Sequence, residues 1–445
     1  MTHVLDRLIG RTAHFGAPAR PAVSARVLRF DGLIVECAAF GASPGTRCAV
    51  DTETGVPVRG EVVGFDRGRT LLLLEDAGAR IGATCRVRPQ AGSHGVAVGQ
   101  GLLGRVLDAD GAPLDGLPPP SAAQIRPLAG TPLNPLDRQR VREPLDVGVR
   151  LINAGLTVGR GQRLGIVAGS GVGKSVLIDM MARFTHADVV VVGLIGERAR
   201  EVADFVAQLM ESPARERTVI VAVPADRSPL LRLRAAQRLH AIAEHFREEG
   251  KQVMLIMDSL TRVAHARREV GLALGEPPTA KGYPPSALAL IPTLLERAGP
   301  GRRGDGAITA FYTILADGDD TVNDPVVDTA RAILDGHIVL SRAQAQAGLY
   351  PAIDLSASVS RVMKDIVPKA QADAATHLRR LMASYRDNRD MMLLGAYAPG
   401  QDRTLDEAVS LWPRIEGFVR QSSDERASYA DSVADLAALI GPQDD

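Results

Sequence analysis

Short, continuous apolar runs alternate with longer stretches of helical periodicity between about residues 146 and 345. The runs lie at 164–167, 189–195, 219–223, 253–257, 307–315 and 337–340. Strands that are apolar along their whole length suit a parallel sheet covered by helices on both faces, because neither face then meets water. One intervening helix is well marked. Ser228-Pro229 offers an N-cap and a proline at the first helical position, Leu239, Ile242, Ala243 and Phe246 repeat at helical spacing, and Gly250 follows the last turn. The pattern predicts an α/β doubly wound domain with its ligand site at the carboxyl ends of the strands.

The flanking regions read differently. β-rich runs at 27–30, 33–37, 61–65, 71–74 and 85–87 are separated by turn signals such as Asp31-Gly32, Ser43-Pro44-Gly45 and Asp66-Arg67-Gly68. A small closed β-barrel is expected there, since closure removes exposed strand edges. Residues 111–145 are rich in proline and turn signals and predict an irregular connection wrapped on a domain surface. Residues 371–445 are helical. Leu378, Leu381, Met382 and Tyr385 make one stripe, and Leu405, Val409, Trp412 and Val419 a second, kinked near Pro413. A third helix is expected from about 424 to 440, with Ala430, Val433, Leu436 and Ile440 inward. At the start, Val4, Leu5, Leu8 and Ile9 fall on one face of a short amphipathic segment. The expected plan is a segment at 1–19, a barrel at 20–92, a nucleotide-binding core at 93–370 and a helical domain at 371–445.

Composition narrows the function classes. With 445 residues, 45% hydrophobic and 23% charged, the chain is a multidomain folded protein and not a disordered one. Its 52 basic and 52 acidic side chains cancel, which gives no general attraction to nucleic acid. Residues 1–30 are locally basic, with five arginines against Asp6. Three cysteines without CxxC spacing point to a reducing cytosol and to core filling. No run approaches the ~20 apolar residues of a membrane span. Only five cations are lysines, so a lysine in a chemical motif stands out.

Lys174 is in such a motif. Ala168-Gly-Ser-Gly-Val-Gly-Lys-Ser175 matches the phosphate-binding loop, with alanine in place of its first glycine. Gly169, Gly171 and Gly173 let the backbone curl so that amides through Ser170, Val172 and Val176 face phosphate oxygens. Lys174 reaches the β- and γ-phosphates of ATP, and the Ser175 hydroxyl ligates Mg²⁺. An apolar strand precedes the loop and a helical run follows, as the motif requires. Asp258 ends the run 253–257 and suits the metal's acidic partner, the alternative being an N-cap. Glu197, just beyond the run 189–195, is placed to polarise the attacking water.

Gly-Glu-Arg-Ala-Arg-Glu at 196–201 resembles the catalytic-glutamate motif of the rotary ATPase catalytic subunits. Leu-Ile-Met-Asp-Ser-Leu-Thr-Arg at 255–262, Gly-Glu-Pro-Pro at 275–278, Lys-Gly-Tyr-Pro-Pro-Ser at 281–286, the stretch 334–342 and Tyr-Pro-Ala-Ile-Asp at 350–354 resemble the type III protein export ATPases. The phosphate loop and Ser410-Leu-Trp-Pro413 look like the flagellar branch. The resemblance implies a RecA-like P-loop core between the barrel and the helical domain. It implies that Tyr350 packs on adenine, that Arg361 is an arginine finger reaching a neighbouring subunit, and that Arg198 helps orient water or phosphate. It also places 275–286 toward the centre of a ring. Asp317-Gly-Asp-Asp320 then reads as a turn at the subunit interface, and His337 as a core histidine. Because Glu197 and Arg361 lie on one chain, a homohexamer is expected, with sites between subunits.

The implied partners are a stator-like regulatory dimer, a stalk-like coiled-coil chaperone, the membrane proteins of the export gate and substrate–chaperone complexes. The implied location is cytoplasmic, peripheral to the inner membrane, with the basic first residues as the candidate contact to an anionic membrane surface. Rival readings are an injectisome ATPase, a proton-translocating ATPase catalytic subunit and a ring-shaped RNA translocase. Against the last, residues 20–90 hold only Phe30, Phe40 and Phe65 as stacking aromatics.

Overall fold

A computed structural model of the chain describes residues 23–76, 78–90, 95–315 and 324–441. The expected amphipathic segment 1–19 and the acidic turn 317–320 lie outside the described residues. The chain divides into two compact units, Met1–His94 and Gly95–Asp445.

In the first unit six strands close into an antiparallel barrel. They are Ala25–Phe30, Ile34–Ala38, Arg47–Val50, Val58–Asp66, Arg69–Leu74 and Arg86–Pro89, arranged in the order first, second, fifth, fourth, third, sixth. The hairpin between Asp66 and Arg69 turns on Arg67 and Gly68, with φ of 44° and 76°, the left-handed pair of a two-residue type I′ loop. Arg47–Val50 was not predicted. It is four residues long, and only Cys48 and Val50 in it are buried. All three cysteines are buried and free. Burial pushes the Cys37 thiol up to about 12 and Cys48 to about 11, so both rest protonated as core fillers.

In the second unit the sheet runs Ile353–Ser360, Gly336–Leu340, Arg163–Ala168, Ala307–Leu315, Gln252–Asp258, Val189–Ile195, Thr218–Val223, Arg105–Leu107. Neighbours in this order are parallel except at the Ile353–Ser360 edge. All seven residues of Val189–Ile195 are buried, which explains its unbroken apolar run. The two edge strands escaped the apolar pattern: one has three residues, and the other mixes buried with exposed positions. Helix Pro229–Glu248 packs Leu239, Ile242, Ala243 and Phe246 inward. Its expected cap is corrected: Ser228 occupies the N-cap position, but its hydroxyl caps nothing and is buried without a partner. Proline at the first position starts the helix without it.

The carboxyl-terminal helices are Lys369–Asp387, Arg403–Val419 and Tyr429–Ile440. The second stripe is corrected. Leu405, Ala408, Leu411, Ile415, Phe418 and Val419 are buried, whereas Val409 and Trp412 are only half-buried. Trp412 instead stacks on Tyr385, ring centroids 3.6 Å apart. Pro413 lies inside one continuous helix. The third helix starts later than predicted, because Ser428 caps it by accepting from the Asp431 N–H. Ala430 is consequently exposed, and Leu436 and Leu439 face inward. His337 is half-buried, with Nε2 3.1 Å from the Ala357 carbonyl.

Candidate active site

The strand Arg163–Ala168 ends in a loop, and helix Lys174–Phe184 begins directly after it. Gly171 and Gly173 are left-handed, with φ of 76° and 88°, a conformation side chains with a Cβ rarely adopt. Gly169 is not left-handed. A Cβ there would stand 3.3 Å from Arg342 Nη2, so its neighbour limits its size. The helix start leaves amides without intrahelical acceptors, and its dipole favours an anion at the loop. Ser175 and Val176 are exposed in the first turn. Tyr350 is 43% exposed, and its ring lies against Gly173, with Cε1 3.2 Å from where a Cβ would stand.

Three predicted residues meet here. Lys174 Nζ lies 2.5 Å from Asp258 Oδ1 and 3.5 Å from Glu197 Oε1. Each side chain is nearly buried, with 11%, 6% and 12% of the lysine, aspartate and glutamate exposed. The topology explains the meeting. Asp258 and Glu197 sit at the carboxyl ends of adjoining parallel strands, with Leu194 paired to Asp258. A carboxylate taken from water without a partner costs several kcal/mol, so two of them require a cation. Asp258 is not an N-cap. That position belongs to Ser259, whose hydroxyl accepts from the Arg262 N–H at 3.3 Å.

Three contributors were missed. Thr313, fully buried, donates its hydroxyl to Asp258 Oδ1 at 2.7 Å and so fixes the carboxylate. Arg262 is close enough to Glu197 to favour its charged form. Arg342 stands beside the loop at Gly169. The run 307–315 carries hydroxyls at Thr309, Tyr312 and Thr313, and only nearness to its carboxyl end set Thr313 apart. Arg262 and Arg342 both lay inside quoted motifs, but 47 arginines gave residue type little weight.

Two predicted residues are not brought into the centre. Arg198 is 83% exposed and pairs with Glu201 at 3.4 Å. Arg361 is exposed, with Nη2 3.3 Å from the Arg331 carbonyl.

Burial raises the Glu197 carboxyl above the usual glutamate value, and the Asp258 charge raises it further, against Lys174 and Arg262. A raised folded-state value means that the folded chain holds this proton more tightly than the unfolded chain. The associated stability is full below the ordinary glutamate value and is lost as pH rises through the raised one. Melting of nucleotide-free chain against pH checks this: Glu197→Gln should abolish that loss, gaining stability relative to wild type as pH rises. An identical pH trend in both chains contradicts it.

Comparison with known proteins gives the family. The family model for the ATP synthase alpha/beta family, nucleotide-binding domain, matches residues 148–360. That for the T3SS EscN ATPase C-terminal domain matches residues 367–438. The chain is 49% identical to the flagellum-specific ATP synthase of Pseudomonas aeruginosa, over 99% of its own length and 98% of that protein's. It is 50% identical to the flagellum-specific ATP synthase of Salmonella typhimurium, over 93% of each. The assembled ATPase EscN of the enteropathogenic E. coli type III secretion system is similar in structure, with a TM-score of 0.87, 39% identity, and coverage of 94% of this chain and 100% of that one. The same ATPase in complex with its central stalk EscO gives a TM-score of 0.84 at 38% identity, with the same coverage. A full-length match at this identity, joined to a phosphate loop facing two buried carboxylates, places the chain in the family of type III export ATPases and flagellum-specific ATP synthases.

Proposed function

We propose that the chain hydrolyses ATP at the Lys174–Glu197–Asp258 centre to energise type III export of flagellar proteins. The observation that carries the reading is one lysine between two buried carboxylates beside a phosphate loop. Steady-state phosphate release tests it. Turnover is expected with Mg-ATP, and an Asp258→Asn chain with unchanged turnover and metal dependence would remove this centre from the chemistry.

Each side chain has a separable task. The loop amides and Lys174 bind the β- and γ-phosphates, and the Tyr350 ring is placed to pack on the base. Ser175 and Asp258 offer the hard oxygen donors that suit Mg²⁺. When bound, the ion neutralises charge on the phosphates. Glu197 accepts a hydrogen bond from water and orients it toward the γ-phosphate. Arg198 stands next to Glu197 in sequence and is proposed to help orient water or phosphate.

Arg361 completes the site from another copy. A head-to-tail interface between identical chains closes into a ring, here a homohexamer, and the assembled state of EscN supports this. The EscN–EscO complex supports a central stalk as partner, here proposed to be a coiled-coil chaperone. Substrate–chaperone complexes, the export-gate membrane proteins and a stator-like dimer complete the proposed set. The high identity to relatives named flagellum-specific favours the flagellar branch over an injectisome. The barrel gives little support to an RNA translocase: Phe40 is buried, Phe30 half-buried and only Phe65 well exposed.

The proposed place of work is the cytoplasmic face of the inner membrane. Among the described residues no helix is long and apolar enough to cross a membrane, so association would be peripheral. The basic first 30 residues are its proposed source. Deleting residues 1–20 should lower co-sedimentation with anionic vesicles several-fold at low salt. Undiminished binding would assign membrane contact to another part of the chain.

A further inference from the structure

A second cavity, of about 330 Å³, with charged residues among a largely apolar lining, lies at the opposite ends of the strands. Its walls are the loop 129–138 and the carboxyl ends of helices Pro229–Glu248 and Pro285–Leu295. Arg247 lines it and stands five residues before strand Gln252–Asp258, whose far end carries Asp258. Seven strand residues span roughly 20 Å, so this cavity is separate from the nucleotide centre.

Its guanidiniums are unevenly hydrogen-bonded, although the charges of Glu244, Glu248 and Asp305 also act on Arg247. Arg138, Arg247 and Arg297 line it together with Glu244 and Glu296. Glu244 is committed to Arg297 through contacts of 2.7 and 2.9 Å. Glu296 pairs with Arg163 at 2.8 Å. Among the described residues the hydrogen bonds of Arg138 go to the backbone carbonyls of Ala298, at 2.8 Å, and of Glu296, while the charges of Glu296 and Glu244 act on it without a hydrogen bond. Arg247 donates to the Arg297 carbonyl at 3.1 Å. Its nearest carboxylate, Glu248 at 3.9 Å, already pairs with Arg126. The Arg247 side chain is 2% exposed, yet its Nε–H finds no acceptor.

The carbonyls of residues 296–298 follow a helix end, where arginines often cap. Capping explains the contacts that are made. It does not explain a buried donor left over, or two guanidiniums without a committed carboxylate beside open volume. Burial also holds Arg138 and Arg247 below the usual arginine range. The backbone is shaped around these groups. Gly130 and Gly299 are left-handed, with φ of 72° and 112°, and a Cβ on either would come within 2.8 Å of a guanidinium nitrogen, of Arg297 and Arg138 respectively.

We infer that this cavity is a binding site for a small oxyanion, phosphate or carboxylate, held by the guanidiniums of Arg138 and Arg247. A planar guanidinium matches such an ion with paired, charge-assisted hydrogen bonds. The ion would accept from Arg138 at the cavity wall and, once the buried Arg247 side chain turns toward the cavity, from its unpartnered Nε–H.

Thermal melting of the full chain, saturated with a non-hydrolysable ATP analogue that fills the γ-phosphate position, tests this against inorganic phosphate and against acetate at matched ionic strength. At least one of the two should raise the midpoint by about 1 °C or more at millimolar concentration. The pair separates the sources: a response to phosphate alone marks a free tetrahedral ion, and a response to acetate marks a carboxylate. Arg138→Gln should demand at least about tenfold more anion for the same rise, since a charge-assisted contact is lost. Leu133→Trp fills the cavity while keeping every guanidinium, and should abolish the rise with ATP turnover unchanged. It decides the matter if Arg138→Gln folds poorly. No rise with either anion, or a rise that survives Leu133→Trp, overturns the inference.

Discussion

Arg361→Ala is expected to lower ATP turnover by about 10³–10⁵-fold, the range for loss of an arginine finger, while nucleotide binding to the same chain stays nearly intact. The reason lies in where Arg361 stands. It follows the edge strand Ile353–Ser360, and its backbone N–H donates to the Asp335 carbonyl at 2.9 Å. Ser360 beside it bonds the Thr157 carbonyl at 2.9 Å. The base is thus fixed, the side chain is exposed, and no described contact joins it to Lys174, Glu197 or Asp258. A cation so held acts on a γ-phosphate only if a second copy presents one. Mixing decides between a trans and a cis role. Lys174→Ala and Arg361→Ala chains should each be nearly inactive alone. Mixed equally at random, about a quarter of head-to-tail interfaces would combine an intact Lys174 with an intact Arg361. Activity of that order, relative to wild type, is expected. A mixture as inactive as its components would place Arg361 outside a shared site.

Glu197→Gln is expected to bind ATP at least as well as wild type and to turn it over about 10²–10⁴-fold more slowly, the span for a positioned general base. Glutamine keeps the shape and one acceptor oxygen but cannot take a proton. It also removes a buried carboxylate whose ionisation burial and the Asp258 charge oppose, so the variant should fold normally. Lys174 keeps Asp258 as partner at 2.5 Å, which preserves the phosphate-binding side of the site. The effect should therefore fall on kcat and leave nucleotide affinity alone. A rise in KM with kcat unchanged would make Glu197 a binding residue.

Much of this site was legible in the sequence because strand ends are legible. An apolar run announces a buried parallel strand, and the first polar residue after it marks the end where ligands bind. Asp258 and Glu197 were found that way, and Lys174 by the loop motif. What pattern could not give was adjacency across the sheet. Thr313 matters through its register beside Asp258, and Arg262 through its nearness to Glu197; neither follows from spacing along the chain. The same limit hid Arg47–Val50 in the barrel, a strand closed by its neighbours and too short to show alternation. In the carboxyl-terminal helices the stripes were recognised but their phase was misjudged. Trp412 was counted in the stripe for its spacing, whereas it is half-buried and stacked on Tyr385. The arginines around the second cavity gave no signal at all, because Arg138, Arg247 and Arg297 are joined only by folding.

The central claim, that Glu197 acts in the chemical step, is tested most directly by the fate of bound nucleotide. Glu197→Gln chain in excess is mixed with radiolabelled ATP and Mg²⁺, quenched at intervals beyond many wild-type turnovers, and the protein-bound nucleotide is identified. Recovery of nearly all of it as ATP is predicted. Recovery as ADP and phosphate, formed at the wild-type rate and merely slow to leave, would contradict the account and assign Glu197 to product release.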